Sequence, residues 1–145
     1  MILHTIGFTK KTAYQFFETL RSAGVRRVID VRLNNVSQLA GFAKMQDLRY
    51  FLGQIDDIGY EHALALAPTQ EMLDSYRKHK GTWAEYERRF LELMKDRHVE
   101  TVWADALRDF DCLLCSEERP DRCHRRLVAE YLASYRSDIE IRHLI

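Results

Sequence analysis

Neither sign of charge predominates in this chain: Lys plus Arg number 22, and Asp plus Glu also number 22. Without a net field there is no overall pull toward nucleic acid or an anionic membrane, so any such binding has to come from a local patch. Long apolar runs are missing too. No stretch reaches the about 18 residues of a membrane span and no secretory leader is evident, so a cytoplasmic protein with no membrane partner is expected. Cysteine is scarce. Three thiols cannot all pair, which argues against a disulfide framework and for reduced thiols. Internal repeats and low-complexity tracts are absent. What remains, 145 residues at 46% hydrophobic composition, suits one domain over residues 1–145 with a sizeable core and is too short for two ordinary ones.

Local patterns alternate between strand and helix. Met1 to Ile6 reads as a first strand with Gly7 as its tight exit. Thr12 and Gln15 then have capping-box spacing, Ala13, Phe16, Phe17 and Leu20 form an apolar stripe, and Gly24 stops that helix. Arg27 to Val31 gives a second strand, ending on Asp30-Val31-Arg32. Residues 33 to 45 follow neither period and are rich in turn-formers, which predicts a long loop of the kind that often carries function. Leu48, Phe51, Leu52 and Ile55 define another helix, and Tyr60 to Ala63 a short third strand. Helices are expected around Met72, Leu73 and Tyr76, after Thr82 and Glu85, and along Val99, Val102, Trp103, Ala106 and Leu107. Asp111 to Cys115 is the next strand, and Ile139, Ile141 and His143 alternate in a last one. Parallel strands need helical crossovers, so the expected fold is a three-layer α/β domain with a mostly parallel sheet of about five strands flanked by helices.

Reactive groups concentrate at residues 113–126, where the fourth strand hands over to the last helix. Pro120-Asp121 supplies a helix start signal, and Cys123 and His124 continue the apolar face set by Leu127, Val128, Tyr131 and Leu132. Both should point inward at the carboxyl edge of the sheet, where ligands of open α/β sheets bind and a helix N-terminus favours anions and lowers thiol pKa values.

Thr5-Ile6-Gly7, Asp30-Val31-Arg32 and the Leu114-Cys115-Ser116-Glu117 segment leading to Cys123-His124-Arg125 together resemble the domain of unknown function 488 family. The specific part is Cys-x-Glu followed after a short loop by Cys-His-Arg. The resemblance implies an intracellular α/β domain, and the family name records no established reaction. Phe8 stands where the family often has a histidine, so no histidine role is carried to that position. Asn34-Asn35-Val36-Ser37 replaces a more usual proline-containing loop.

Each residue has a bland reading beside the chemical one. Cys115 is either a small buried residue ending a strand or a nucleophile served by His124. The order strand, cysteine, loop, helix is similar in layout to cysteine phosphatases and rhodanese-like sulfur transferases. However, the phosphatase arginine position, six residues after the cysteine, holds Asp121, and Glu117 and Glu118 would repel a phosphate there. Cys115, Cys123 and His124 are acceptable zinc ligands, yet Cys-x-x-Cys spacing is absent and adjacent Cys-His rarely aim both side chains at one ion; no metal ligand is therefore assigned. Glu117 or His143 could complete a set only if the fold brought it close. Cys112 should face away from Cys115 and belong to the core. Arg125 is either a fork for a phosphate or carboxylate or a partner of Glu117 or Asp30. The basic cluster Arg119, Arg122, Arg125 and Arg126 is diluted by Glu117, Glu118 and Asp121, and Trp83 and Tyr50 stay open as stacking residues.

The leading expectation is an anionic ligand, a nucleotide or a nucleic-acid end, bound at an edge built from Gly7, Thr9, Arg32, Asn34, Cys115, Glu117, Cys123, His124 and Arg125. In an enzymatic version Cys115 is the nucleophile, His124 its base or orienter, and Glu117 a second proton-transfer or orienting group, with Arg32 and Arg125 holding negative charge. The alternatives are a non-catalytic interaction module with a structural polar network, and a zinc-stabilised fold. The motif itself names no cofactor and no oligomeric state.

Overall fold

The computed structural model describes residues 1–36 and 41–145; the part of the expected long loop at 37–40 lies outside the described residues. Among the described residues the order is β1 (Ile2–Gly7), α1 (Ala13–Ser22), β2 (Arg27–Asp30), α2 (Met45–Asp56), β3 (Gly59–His62), α3 (Gln70–Arg77), α4 (Trp83–Asp96), α5 (Glu100–Ala106), β4 (Asp111–Cys115), α6 (His124–Ala133) and β5 (Glu140–His143), with short 3-10 turns at Gly41–Ala43 and Leu64–Leu66. The strands form one five-stranded sheet in the order β3-β2-β4-β1-β5, and all four pairings are parallel. None of the described helices is long and apolar enough to cross a membrane.

Strand alternation divides the core into two layers. Ile6, Val28, Cys112 and Leu114 face α1 and α2, where Phe16, Phe17, Leu20, Leu48 and Leu52 cover them. Leu3, Ile29, Leu113 and Cys115 face the other way, toward a layer that includes Phe90, Met94, Trp103, Leu127, Val128 and Leu132 from α4, α5 and α6. This is the period-2 rule at work: Cys112 and Cys115 differ by three residues and so occupy opposite faces, as expected. Each fully buried Leu, Ile or Phe contributes roughly 1.5–3 kcal/mol relative to exposure.

Local chemistry sets most boundaries. The Thr12 side chain accepts from the Gln15 N–H while the Gln15 side chain accepts from the Thr12 N–H, a complete capping box. Thr69 and Thr82 cap α3 and α4 in the same one-sided way, accepting from Met72 and Glu85 N–H groups. Gly24 follows the end of α1 with φ 72°, the left-handed position that ends helices.

Three expectations need correction. Pro120-Asp121 does not open the last helix: Pro120 instead accepts from the Cys123 N–H in a turn, and α6 starts at His124. Cys123 is the extended residue before it, with φ −137° and ψ 136°. Ala13, Phe51, Ile55 and Val102 are exposed although their periodicity suggested an apolar face, because the buried stripes of α1, α2 and α5 are narrower than the hydrophobic pattern. Met45, assigned to the loop, begins α2.

Topology fixes where a ligand can enter. The chain leaves β2 toward α2 on one face and leaves the adjacent β4 toward α6 on the other, so the two connections part just beyond the paired strand ends Asp30 and Leu114. A crevice opens at such a switch point.

Candidate active site

Arg32 sits just beyond β2, buried to 2% exposure, because Asp30 holds it with two parallel bonds: Nε to Oδ1 at 2.9 Å and Nη2 to Oδ2 at 2.8 Å. Asp30, fully buried, also accepts from the Arg32 backbone N–H and the Tyr60 hydroxyl, which satisfies a carboxylate that burial would otherwise make costly. Burial, with Asp30 beside it, pushes the Tyr60 hydroxyl pKa up, so it stays a donor. The Phe8 ring lies 5.3 Å from the centre of the guanidinium. One arginine nitrogen, Nη1, is buried with no partner among the described residues.

Across the crevice, Cys115 ends β4. Its sulfur lies 3.5 Å from His124 Nδ1, and His124 Nε2 is 2.7 Å from the Val31 carbonyl. A carbonyl only accepts, so Nε2 must carry the hydrogen and Nδ1 is the free ring nitrogen. The sulfur is also 3.7 Å from Nε2, so it packs against the ring between the two nitrogens, and the ring has to turn before the Nδ1 lone pair meets the thiol. Phe90 from α4 packs on the imidazole at 5.5 Å between centroids.

Burial alone pushes the Cys115 thiol up. Hydrogen bonds from the Cys123 thiol and from the Ser116 N–H, the charge of Arg125 and the Glu117 N–H more than offset it, and the Cys115 pKa lies below the ordinary thiol value. Burial and the neighbouring Cys115 hold Cys123 well above that value, so it remains a thiol donor. Burial also lowers the His124 pKa.

Arg125 is the largest fully buried side chain. No carboxylate among the described residues pairs with it, contrary to the partnership with Glu117 or Asp30 that charge suggested. Its Nη1 donates to the Glu117 carbonyl at 2.5 Å, Nη2 to the Glu118 carbonyl at 3.2 Å and Nε to Thr5 Oγ1 at 3.3 Å. The side chain therefore holds the 115–124 loop from beneath. Thr9 ties the same loop from outside, donating through Oγ1 and N–H to the Ser116 carbonyl. Gly7 lies under it: a Cβ there would stand 1.6 Å from the Glu117 carbonyl oxygen.

A cleft of about 300 Å³ opens between these parts, lined by Arg32, Leu33, Asn34, Pro68, Gln70, Leu73, Arg77, Cys115, Ser116 and His124. Four of the nine residues expected at the edge line it: Arg32, Asn34, Cys115 and His124. Cys123 and Glu117 border a smaller crevice of about 30 Å³ on the other side of the cysteine. Gly7, Thr9 and Arg125 shape the loop from behind. The Glu117 carboxylate is half exposed and faces Arg77 at 3.6 Å. The family model for the domain of unknown function DUF488 matches residues 12–132. The chain belongs to this family. The match leaves out β1 and β5, so Thr5-Ile6-Gly7 lies outside it, whereas the Cys-x-Glu and Cys-His-Arg segment of this DUF488 chain lies inside. No curated protein and no solved structure matches it.

Sequence spacing missed the contribution of α3. Pro68, Gln70, Leu73 and Arg77 wall the cleft, yet only the helix itself was legible, through the Met72-Leu73-Tyr76 pattern. The basic cluster does not form one exposed patch: Arg125 is buried, and Arg126 pairs with Glu130 and Glu87. Trp83 stacks on Tyr86, 5.2 Å between centroids, as part of the packing. His143 bonds Thr5 Oγ1 at 2.7 Å and does not join the cysteines. Cys115 Sγ, Cys123 Sγ and a His124 ring nitrogen, by contrast, all lie within 4.8 Å of one another. Extended backbone at Cys123 followed by the first helical residue swings both neighbouring side chains toward Cys115, which overrides the expectation that adjacent residues diverge.

Proposed function

We propose that this protein is a cysteine-dependent enzyme acting on a small anionic substrate, with a nucleotide or a nucleic-acid end as the substrate class. The observation that carries this reading is the buried thiol–imidazole pair, in which the Cys115 sulfur packs against the His124 ring, 3.5 Å from Nδ1 and 3.7 Å from Nε2, while Nε2 meets the Val31 carbonyl. In the reaction the imidazole turns its Nδ1 onto the thiol, takes the proton as sulfur bonds to the electrophilic centre, and gives it to the group whose bond to that centre breaks. Water or a second acceptor then releases the product from sulfur.

Arg32 Nη1, buried beside the cleft without a partner among the described residues, and Arg77 supply the positive charge that holds the substrate anion. Asn34 adds a polar wall, and Glu117 orients Arg77 across their 3.6 Å contact. Gly7, Thr9, Cys123 and Arg125 keep the loop in the shape that activates the thiol. A cleft of about 300 Å³ is at the small end of ligand pockets, which favours a single nucleotide-sized group over a polymer lying in a groove.

Alkylation tests the reading directly. Native protein is treated with iodoacetamide across a pH series and mapped by mass spectrometry. Cys115 should be modified with a midpoint below the free-thiol value of about 8.5, while Cys112 and Cys123 stay unmodified. A Cys115 that reacts only when the chain unfolds overturns the proposal.

A further inference from the structure

We propose that Cys115, Cys123 and His124 form a binding site for a Zn²⁺ ion with three protein ligands and one position open to the cleft. Tetrahedral zinc with Zn–S near 2.3 Å and Zn–N near 2.0–2.1 Å sets its sulfur and nitrogen ligands about 3.5 Å apart. Cys115 Sγ and His124 Nδ1 stand at 3.5 Å, and the Cys123 sulfur completes a trio within 4.8 Å. The sulfur is also 3.7 Å from Nε2, so a turn of the imidazole that aims the Nδ1 lone pair between the two sulfurs closes three donors on one metal.

Three further features suit the site to a metal. The His124 Nε2–H is held by the Val31 carbonyl, the outer partner that metal-binding histidines ordinarily have, and it leaves Nδ1 as the only ring donor. All three side chains are more than nine-tenths buried, yet Cys115 and His124 line the cleft, which provides an entry path and the fourth position. Two thiolates neutralise the ion, and Arg125, lacking a carboxylate, favours the thiolate charge. Soft sulfur with imidazole selects zinc over magnesium or calcium. His143 and Cys112 are not ligands, because one is bonded to Thr5 and the other lies on the opposite face.

Binding releases the thiol protons to solvent and places the Cys115 sulfur on the metal, so it cannot attack carbon. Zinc is then a reversible inhibitor of the thiol; this regulatory half rests on the nucleophile reading, whereas the site itself does not.

Metal-free chain, kept reduced with a phosphine, is titrated with Zn²⁺ by calorimetry, and stoichiometry is read by native mass spectrometry. One ion per chain is expected, with affinity unchanged in Cys112→Ser and weakened at least about tenfold in Cys123→Ser and His124→Ala. Absence of one-to-one binding in the unaltered chain, or unaltered affinity in folded Cys123→Ser, overturns the site. Zinc should also protect Cys115 from iodoacetamide in the unaltered chain, a readout that needs no variant to fold. Low-pH alkylation of Cys115 without zinc binding removes the metal site alone; zinc binding by a chain whose metal-free Cys115 is inert removes the nucleophile alone.

Discussion

Replacing Gly7 by alanine is expected to cost about 2 kcal/mol of stability and to raise the alkylation midpoint of Cys115 toward the free-thiol value. Gly7 is not in the left-handed region, so the requirement is one of space. The new Cβ would lie 1.6 Å from the Glu117 carbonyl oxygen and 2.6 Å from its carbon, and neither belongs to a flexible side chain. Reaching even 3.0 Å moves the loop backbone by about 1.4 Å. That carbonyl accepts from Arg125 at 2.5 Å, nearly at right angles to the shift, so the bond lengthens but survives and the cost is one of overpacking. Overpacking costs about 1–3 kcal/mol, while alanine's better backbone entropy returns only about 0.5–1 kcal/mol. Urea denaturation followed by circular dichroism should show a midpoint lower by about 1–2 M, for a slope of about 1–3 kcal/mol/M. Because the displaced loop presents the Ser116 and Glu117 N–H groups to sulfur, alkylation must change with it. A Gly7→Ala chain with an unshifted urea midpoint and unaltered Cys115 reactivity refutes the reasoning.

Asp111→Ala should destabilise by about 3–5 kcal/mol, because Asp111 is buried and holds Arg27 through bonds of 2.9 and 2.6 Å; the double variant with Arg27→Met should recover much of that in the same urea assay. Burial depresses the His124 pKa, so the unfolded ring takes a proton near pH 6.5 that the native one refuses: its stabilisation is present above that pH and is lost as pH falls through the native value, at up to about 1.4 kcal/mol per pH unit. His4 and His143 are depressed in the same direction, and urea midpoints that stay flat from pH 7 to pH 5 contradict the assignment. Cys112→Ala should cost about 1–2 kcal/mol through its cavity and leave the Cys115 alkylation profile unchanged; altered reactivity would mean that the two faces of β4 communicate.

Features written in adjacent residues were legible, and those made by distant ones were not. Capping spacing located α1 and α4, and the strand expected over Asp111–Cys115 matched β4 residue for residue, because each depends on its own backbone. The meeting of Asp30–Arg32 with Cys115 followed from strand alternation and parallel order. The fate of Arg32 did not. Its fork onto Asp30 requires Tyr60, 30 residues on, to share the carboxylate. Arg125 was read by charge, yet its partners are backbone carbonyls that carry no residue-specific signal. The turn at Pro120 displaced the helix start by enough to make Cys123 extended, and that single dihedral change brings Cys123 and His124 together on Cys115.

The position of β4 in the sheet has a consequence for synthesis. β1, made before the other four strands, pairs among the described residues with β4 and β5 alone, so it has no strand partner until residues 111–115 leave the ribosome. At about 5–20 residues per second that wait is on the order of 5–20 s, during which Leu3 and Ile6 present apolar surface on both faces of an unpaired strand. β2 can zip onto β3 earlier. A nascent chain stalled before β4 therefore carries a finished two-stranded piece and a loose, sticky leader, and should be the form that chaperones hold and proteases clear.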